Sequence, residues 1–74
     1  MAKYQVGDQF KVRRKTTLIP LTFYGRTYRV DKLAVGSSES HEDPRWVCRD
    51  IHQHFHFGEF SESTIDYVKT FDEK

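Results

Sequence analysis

The sequence predicts an all-β fold: a five-stranded, partly open barrel with one 3₁₀ turn before the last strand. The 74 residues are enough for one small domain, which we place at residues 1–74. Bulky and polar residues alternate with a period of two in several short segments, as in strands that bury one face. Aromatic residues make up 15% of the chain, so large rings would supply most of a thin core.

A central hairpin is predicted in residues 45–60, RWVCRDIHQHFHFGEF, which hold the only Trp, the only Cys and three of the four His. The alternation runs through residues 45–51 and again through residues 54–60. These two segments are predicted strands, and the turn between them falls in residues 51–54.

The first segments are less uniform. Residues 4–13 predict a strand that places Phe10 and Val12 on one face. Residues 14–25 predict an edge strand or a folded loop, because Pro20 lacks a backbone donor.

Residues 27–35 are rich in strand-forming residues but change phase. Tyr28 and Val30 share one face, whereas Leu33 falls on the other. A phase change of one residue predicts a β-bulge or a sharp bend near residues 31–32.

The remaining segments complete the predicted barrel. Residues 36–44, GSSESHEDP, contain no apolar side chain apart from the proline and predict a loop. Residues 61–64 predict the cap of a single 3₁₀ turn, and residues 66–70 a last short strand. Residues 72–74 are expected to be a frayed tail.

Two segments resemble SH3-like small barrels of the KOW and Tudor type. Residues 6–12, VGDQFKV, resemble their opening strand, and residues 58–68, GEFSESTIDYV, resemble their closing strand, 3₁₀ turn and last strand. The resemblance implies an SH3-like barrel. Because such barrels are common among short phage and prophage proteins, it also implies a small phage or prophage protein. The acidic-aromatic first loop of peptide-binding SH3 domains is absent, so we do not expect polyproline binding.

The net charge is +1, but the charges are unevenly distributed. Residues 1–37 contain eight Lys and Arg against two Asp and Glu, and residues 38–74 contain four against nine. This polarity predicts either a basic contact face or two halves that attract each other across the fold.

Composition also bears on the compartment and on catalysis. The single Cys48 excludes an internal disulfide framework and favours a cytoplasmic protein. No apolar run is long enough for a signal peptide or a membrane span, so we expect no membrane partner.

The sequence has no glycine-rich phosphate loop and no nucleophile elbow, and so small a barrel leaves little room for a pocket. We therefore expect no enzyme, no catalytic residues and no cofactor.

His52, His54 and His56 form a histidine cluster. Alternate residues of a strand face the same way, so two of these rings could hold a metal ion together with a third ligand. The candidate third ligands are His41, Cys48, Asp50 and Glu59. Two other interpretations stay open: a polar outer face on a strand whose Phe55 and Phe57 point inward, or a pH-responsive surface.

Basic residues suggest nucleic-acid binding as an alternative function. If the first two strands pair, five of them would lie close together: Lys11, Arg13, Arg14, Lys15 and Arg29. With Tyr24 or Tyr28 alongside, they would offer phosphates and bases a platform. The other interpretation is a solvated face.

Our preferred prediction is a non-catalytic module that docks on another protein. Its predicted binding residues are Tyr24, Arg26, Trp46 and Arg49, with the acidic segment 39–43 as a rim. Trp46 also admits a place in the core, and Cys48 is expected to be a small buried hydrophobe. The phage-like resemblance suggests a host macromolecule as the target. The sequence leaves the oligomeric state and the partner's identity open.

Overall fold

The structure, a computed structural model, describes residues 2–38 and 40–70. It is mostly sheet, with four strands, β1 (Gln9–Lys11), β2 (Thr27–Leu33), β3 (Arg45–Asp50) and β4 (Phe57–Ser61). A 3₁₀ turn, Leu21–Phe23, lies between β1 and β2, and the helix α1, Glu62–Val68, follows β4. The strands pair antiparallel in chain order. In the described part of the chain, β1 and β4 are the two edges, so the sheet is open.

The prediction of a last strand at residues 66–70 is wrong, because most of this segment belongs to α1. As predicted, Ser61 is a cap: its side-chain oxygen accepts a hydrogen bond from the Thr64 amide at 3.2 Å. The helix continues beyond one turn because Ile65 and Val68, three residues apart, both reach the core. The predicted 3₁₀ turn at this position is therefore an α-helix. No helix formed by residues 2–38 and 40–70 has the length and apolar character to span a membrane.

The predicted bulge in β2 is confirmed. The pairing register between β2 and β3 shifts between Val30 and Lys32. Because of this extra residue, Leu33 lies opposite Trp46 and returns to the face that carries Val30. The whole of β2 can thus contribute to one core.

The turn after β3 is longer than predicted and covers residues 51–56. The Asp50 amide donates to the His56 carbonyl at 2.9 Å, which closes this turn. In the resulting register Phe57 lies opposite Arg49, on the outer face of the sheet. The prediction that Phe55 and Phe57 point inward is therefore wrong, since both rings are exposed.

The core lies between the inner face of the sheet, α1 and the 3₁₀ turn. Phe23 closes it, with its ring stacked on Tyr28 at 5.4 Å between centroids and an interplanar angle of 15°. Gly58 makes room for that ring, because a Cβ atom there would lie 2.7 Å from Phe23 Cε2. The core residues are Phe10, Val12, Phe23, Tyr28, Val30, Trp46, Cys48, Phe60, Ile65 and Val68. The predicted tail, residues 72–74, lies outside the described residues.

Candidate functional site

Two connections meet at one end of the sheet. In an antiparallel sheet in chain order, alternate connections fall at the same end. The β1–β2 loop, residues 12–26, therefore lies beside the β3–β4 turn, residues 51–56. We call this region the loop end. The β2–β3 connection lies at the opposite end, where the Glu62 amide donates to the Pro44 carbonyl at 2.9 Å.

An ion pair between Arg26 and Asp50 holds the loop end together. Arg26 Nη1 lies 2.8 Å from Asp50 Oδ2 and donates to Gln53 Oε1 at 2.8 Å. Its Nε donates to the Thr22 carbonyl, also at 2.8 Å, so one guanidinium reaches both loops. Asp50 is 3% exposed, and its Oδ1 accepts a hydrogen bond of 2.7 Å from the His52 amide. The ion pair thus fixes both backbones relative to the sheet.

The charge on Asp50 is stabilised by these same contacts. Burial opposes ionisation and would raise the pKa of the carboxyl. The hydrogen bonds from the His52 amide and from Arg26 outweigh burial and hold the pKa below its ordinary value of 3.8. Asp50 therefore remains an anion opposite Arg26 at neutral pH.

Aromatic rings join the two loops to the core. The Phe23 ring lies 4.8 Å from the ring of His56, between centroids. His56 Nε2 and the Tyr28 hydroxyl form a hydrogen bond of 2.8 Å, whose direction depends on the histidine tautomer. Burial raises the pKa of Tyr28, so its phenol stays protonated. The loop end is therefore joined to the core by packing as well as by the ion pair.

Large apolar side chains project from the loop end into solvent. Pro20 precedes the 3₁₀ turn with a φ of −61°, and the turn directs Phe23 inward while Leu21 stays outside. Leu21 is 67% exposed and Phe55, on the neighbouring turn, is 83% exposed. The exposed apolar residues of this region are Leu18, Leu21, Tyr24 and Phe55, and the exposed ring of Phe57 follows at the start of β4. An exposed apolar concentration of this kind is typical of interaction sites.

The structure brings together three of the four predicted protein-binding residues. Tyr24 and Arg26 belong to the loop end. Arg49 donates to the His54 carbonyl and lies 4.9 Å from the centroid of the Phe57 ring. Trp46 is 1% exposed and lies in the core instead.

The predicted acidic rim is not part of this region. Its described residues, 40–43, are in the β2–β3 connection at the opposite end of the sheet, and Glu39 lies outside the described residues. There Asp43 accepts hydrogen bonds from the Ser63 amide and hydroxyl at 2.9 and 2.7 Å. These contacts lower the pKa of Asp43. The acidic segment therefore secures the start of α1.

The structure does not bring the five residues of the predicted basic cluster together. Lys11 and Arg29 share the outer face of the sheet, where Gln9 lies opposite Arg29. Arg14 turns towards α1, donating to the Thr70 carbonyl at 3.2 Å with its guanidinium 4.7 Å from the centroid of the Tyr67 ring. The other two cations of the cluster are exposed: Arg13, and Lys15, whose Nζ lies 5.3 Å from the centroid of the Tyr24 ring. Tyr28 is buried and offers no surface for stacking.

The histidine cluster does not converge. His52 and His54 are exposed in the turn, whereas His56 faces Tyr28. Among residues 2–38 and 40–70, no three His, Cys, Asp or Glu side chains are grouped so that they could hold a metal ion. As expected, Cys48 is buried, and burial raises the pKa of its thiol to about 12. That thiol is protonated and a poor nucleophile at neutral pH.

Sequence reasoning missed the most exposed members of the site, Leu18, Leu21 and Phe55. Leu18 and Leu21 lie close to Pro20, in a segment where apolar and polar residues do not alternate regularly. This pattern is typical of a loop and could have indicated that both leucines are exposed. Their grouping with Phe55 depends on the contact between two loops about 30 residues apart in the chain, which Arg26 and Gln53 make.

No protein-family model, curated protein or solved structure matches this chain.

Proposed function

We propose that this protein is a non-catalytic binding module that docks on another protein through the loop end. The observation that carries the proposal is the group of exposed apolar side chains, Leu21 and Phe55 above all, on two loops joined by Arg26. Burying one such side chain contributes about 1.5–3 kcal/mol. Because the Arg26–Asp50 ion pair fixes the loops beforehand, less conformational entropy is lost on binding.

The charges around the loop end indicate the chemistry of the partner. Arg49 and Lys15 lie beside the exposed rings of Phe57 and Tyr24. A partner surface with an apolar centre and acidic neighbours would therefore be complementary. Small folds use such loops and surface aromatics for protein recognition.

A retention experiment with matched variants tests the proposal. The immobilised protein is compared with a Leu21→Ser/Phe55→Ser variant in a lysate of the source cell. Val35→Ser is the control, because Val35 is 92% exposed at the opposite end of the sheet. We expect the wild type and the control to retain the same protein and the double variant to lose it. Equal retention by all three would contradict docking through the loop end.

The same proposal includes the wider predictions from the sequence. A relationship to SH3-like barrels is supported by four antiparallel strands in chain order with a long first loop. The resemblance to short phage proteins suggests, in addition, a phage-encoded modulator of a host macromolecule. Action in the cytoplasm is supported by the single buried thiol of Cys48.

A further inference from the structure

A row of four side chains crosses the outer face of the sheet, the side opposite the core. Gln9 in β1 lies opposite Arg29 in β2, and Arg29 lies opposite Arg49 in β3. Arg49 in turn lies opposite Phe57 in β4. Facing residues in neighbouring strands are about 5 Å apart, so the four side chains form one continuous strip.

Two arginines thus face each other directly in neighbouring strands. Like charges in this arrangement destabilise a sheet. Asp31 compensates in part, because its carboxylate lies 3.3 Å from Arg49 Nε and 3.9 Å from Arg29 Nη2. One carboxylate between two guanidinium groups leaves an excess of positive charge.

The positive excess extends towards the loop end. Lys11 is on the same face as Gln9, two residues further along β1, and makes no ion pair with any described residue. Two described carboxylates from the acidic half of the chain are engaged elsewhere. Asp66 pairs with Lys3, and Glu59 pairs with Arg45 at the far end of the outer face. Among residues 2–38 and 40–70, the carboxylate that pairs with the two arginines of the strip is Asp31, which belongs to the basic half.

We infer that the strip is a binding surface for single-stranded nucleic acid. A backbone phosphate placed between Arg29 and Arg49 would relieve their repulsion, and the Lys11 ammonium would bind the next phosphate. A shallow depression at this point is lined by Gln9, Arg29, Arg49, Asp50, Ile51 and His54. The exposed ring of Phe57 at the end of the strip provides a stacking surface for a base. This surface meets the loop end at Arg49 and Phe57 but includes neither Leu21 nor Phe55, and binding here goes beyond the function proposed above.

Fluorescence anisotropy with labelled oligothymidine and oligouridine of about 20 nucleotides, at about 20 and 200 mM salt, tests the inference. Arg29→Gln is compared with Arg45→Gln, because these side chains are 54% and 52% exposed on the same face. We expect Arg29→Gln to weaken binding about tenfold at low salt and to reduce the log–log salt slope by about 0.7. Arg45→Gln should bind as the wild type does. Phe57→Ser should weaken binding by about fivefold or more and leave the salt slope unchanged.

Three results would overturn the inference: no binding by the wild type at low salt, equal weakening by Arg29→Gln and Arg45→Gln, or preference for a duplex of the same length. The Leu21→Ser/Phe55→Ser variant keeps every charge of the strip and should bind the oligonucleotides within about twofold of wild type. Failure of protein docking and failure of nucleic-acid binding can thus be distinguished.

Discussion

The indole nitrogen of Trp46 donates a hydrogen bond of 3.0 Å to Glu62 Oε2, and both side chains are almost fully buried. The same oxygen accepts hydrogen bonds from the Lys3 and Tyr4 amides at 3.0 and 3.3 Å. One carboxylate therefore joins β3, α1 and the N-terminal segment. This contact explains why the only tryptophan is a core residue and not a surface anchor.

Replacing Glu62 by alanine should destabilise the fold by about 3 kcal/mol, since it leaves the Trp46 N–H buried without its acceptor. Urea unfolding followed by Trp46 fluorescence measures the change. The control is Glu59→Ala, at an exposed position of β4, which should change stability by less than about 0.5 kcal/mol. Equal stabilities of the two variants would show that the buried contact is unimportant.

Arg26→Ala should destabilise the protein by about 2 kcal/mol, because it leaves Asp50 buried without its cation. Amide hydrogen exchange at His52 and Gln53 should become faster, since both amides donate to Asp50. Arg45→Ala is the control: its pair with Glu59, at 3.6 Å, is half exposed and should contribute less than about 1 kcal/mol. Unchanged exchange in Arg26→Ala would mean that the ion pair does not fix the turn.

Gly58→Ala should destabilise the protein by about 1–3 kcal/mol, because the new methyl group would overlap the Phe23 ring. Thermal or urea unfolding measures the loss. In a background that already carries Phe23→Val, the same glycine substitution should cost much less, because the smaller side chain leaves space. Additive losses in the double variant would place the clash elsewhere.

Stability should fall in acid. The Lys3 ammonium and the Tyr4 hydroxyl donate to Asp66 and hold its pKa below the ordinary 3.8. As the pH falls below about 4, the unfolded chain takes up protons before the folded one does. The stabilisation is therefore complete above that pH and is lost as the pH falls through the folded-state pKa. Urea midpoints between about pH 6 and pH 2.5 should decline less steeply for Asp66→Asn, and identical slopes would contradict this assignment.

The sequence revealed local features more reliably than distant ones. The bulge in β2 was predictable because Tyr28, Val30 and Leu33 carry the phase change within one strand. The end of the chain was not, because Ile65 and Tyr67 suit the alternation of a short strand, whereas Ile65 and Val68 suit the spacing of a helix. Only packing of α1 on the sheet distinguishes the two.

The prediction for the hairpin after β3 was wrong for a related reason. Phe55 and Phe57 alternate with histidines, and either set could face inward. The choice is made by Asp50, which turns inward to Arg26 and sets the register of the turn. Tyr24, Arg26 and Arg49 were predictable as site residues from their type, whereas the grouping of Leu21 with Phe55 required the folded chain.

The most direct test of docking through the loop end is site-specific photocrosslinking. A benzoylphenylalanine is placed at position 55 of the loop end or at position 35 of the opposite end, which are 83% and 92% exposed. Irradiation in the source cell should give a discrete crosslinked protein from position 55 and none from position 35. The same crosslinks from both positions, or none from position 55, would contradict docking through the loop end.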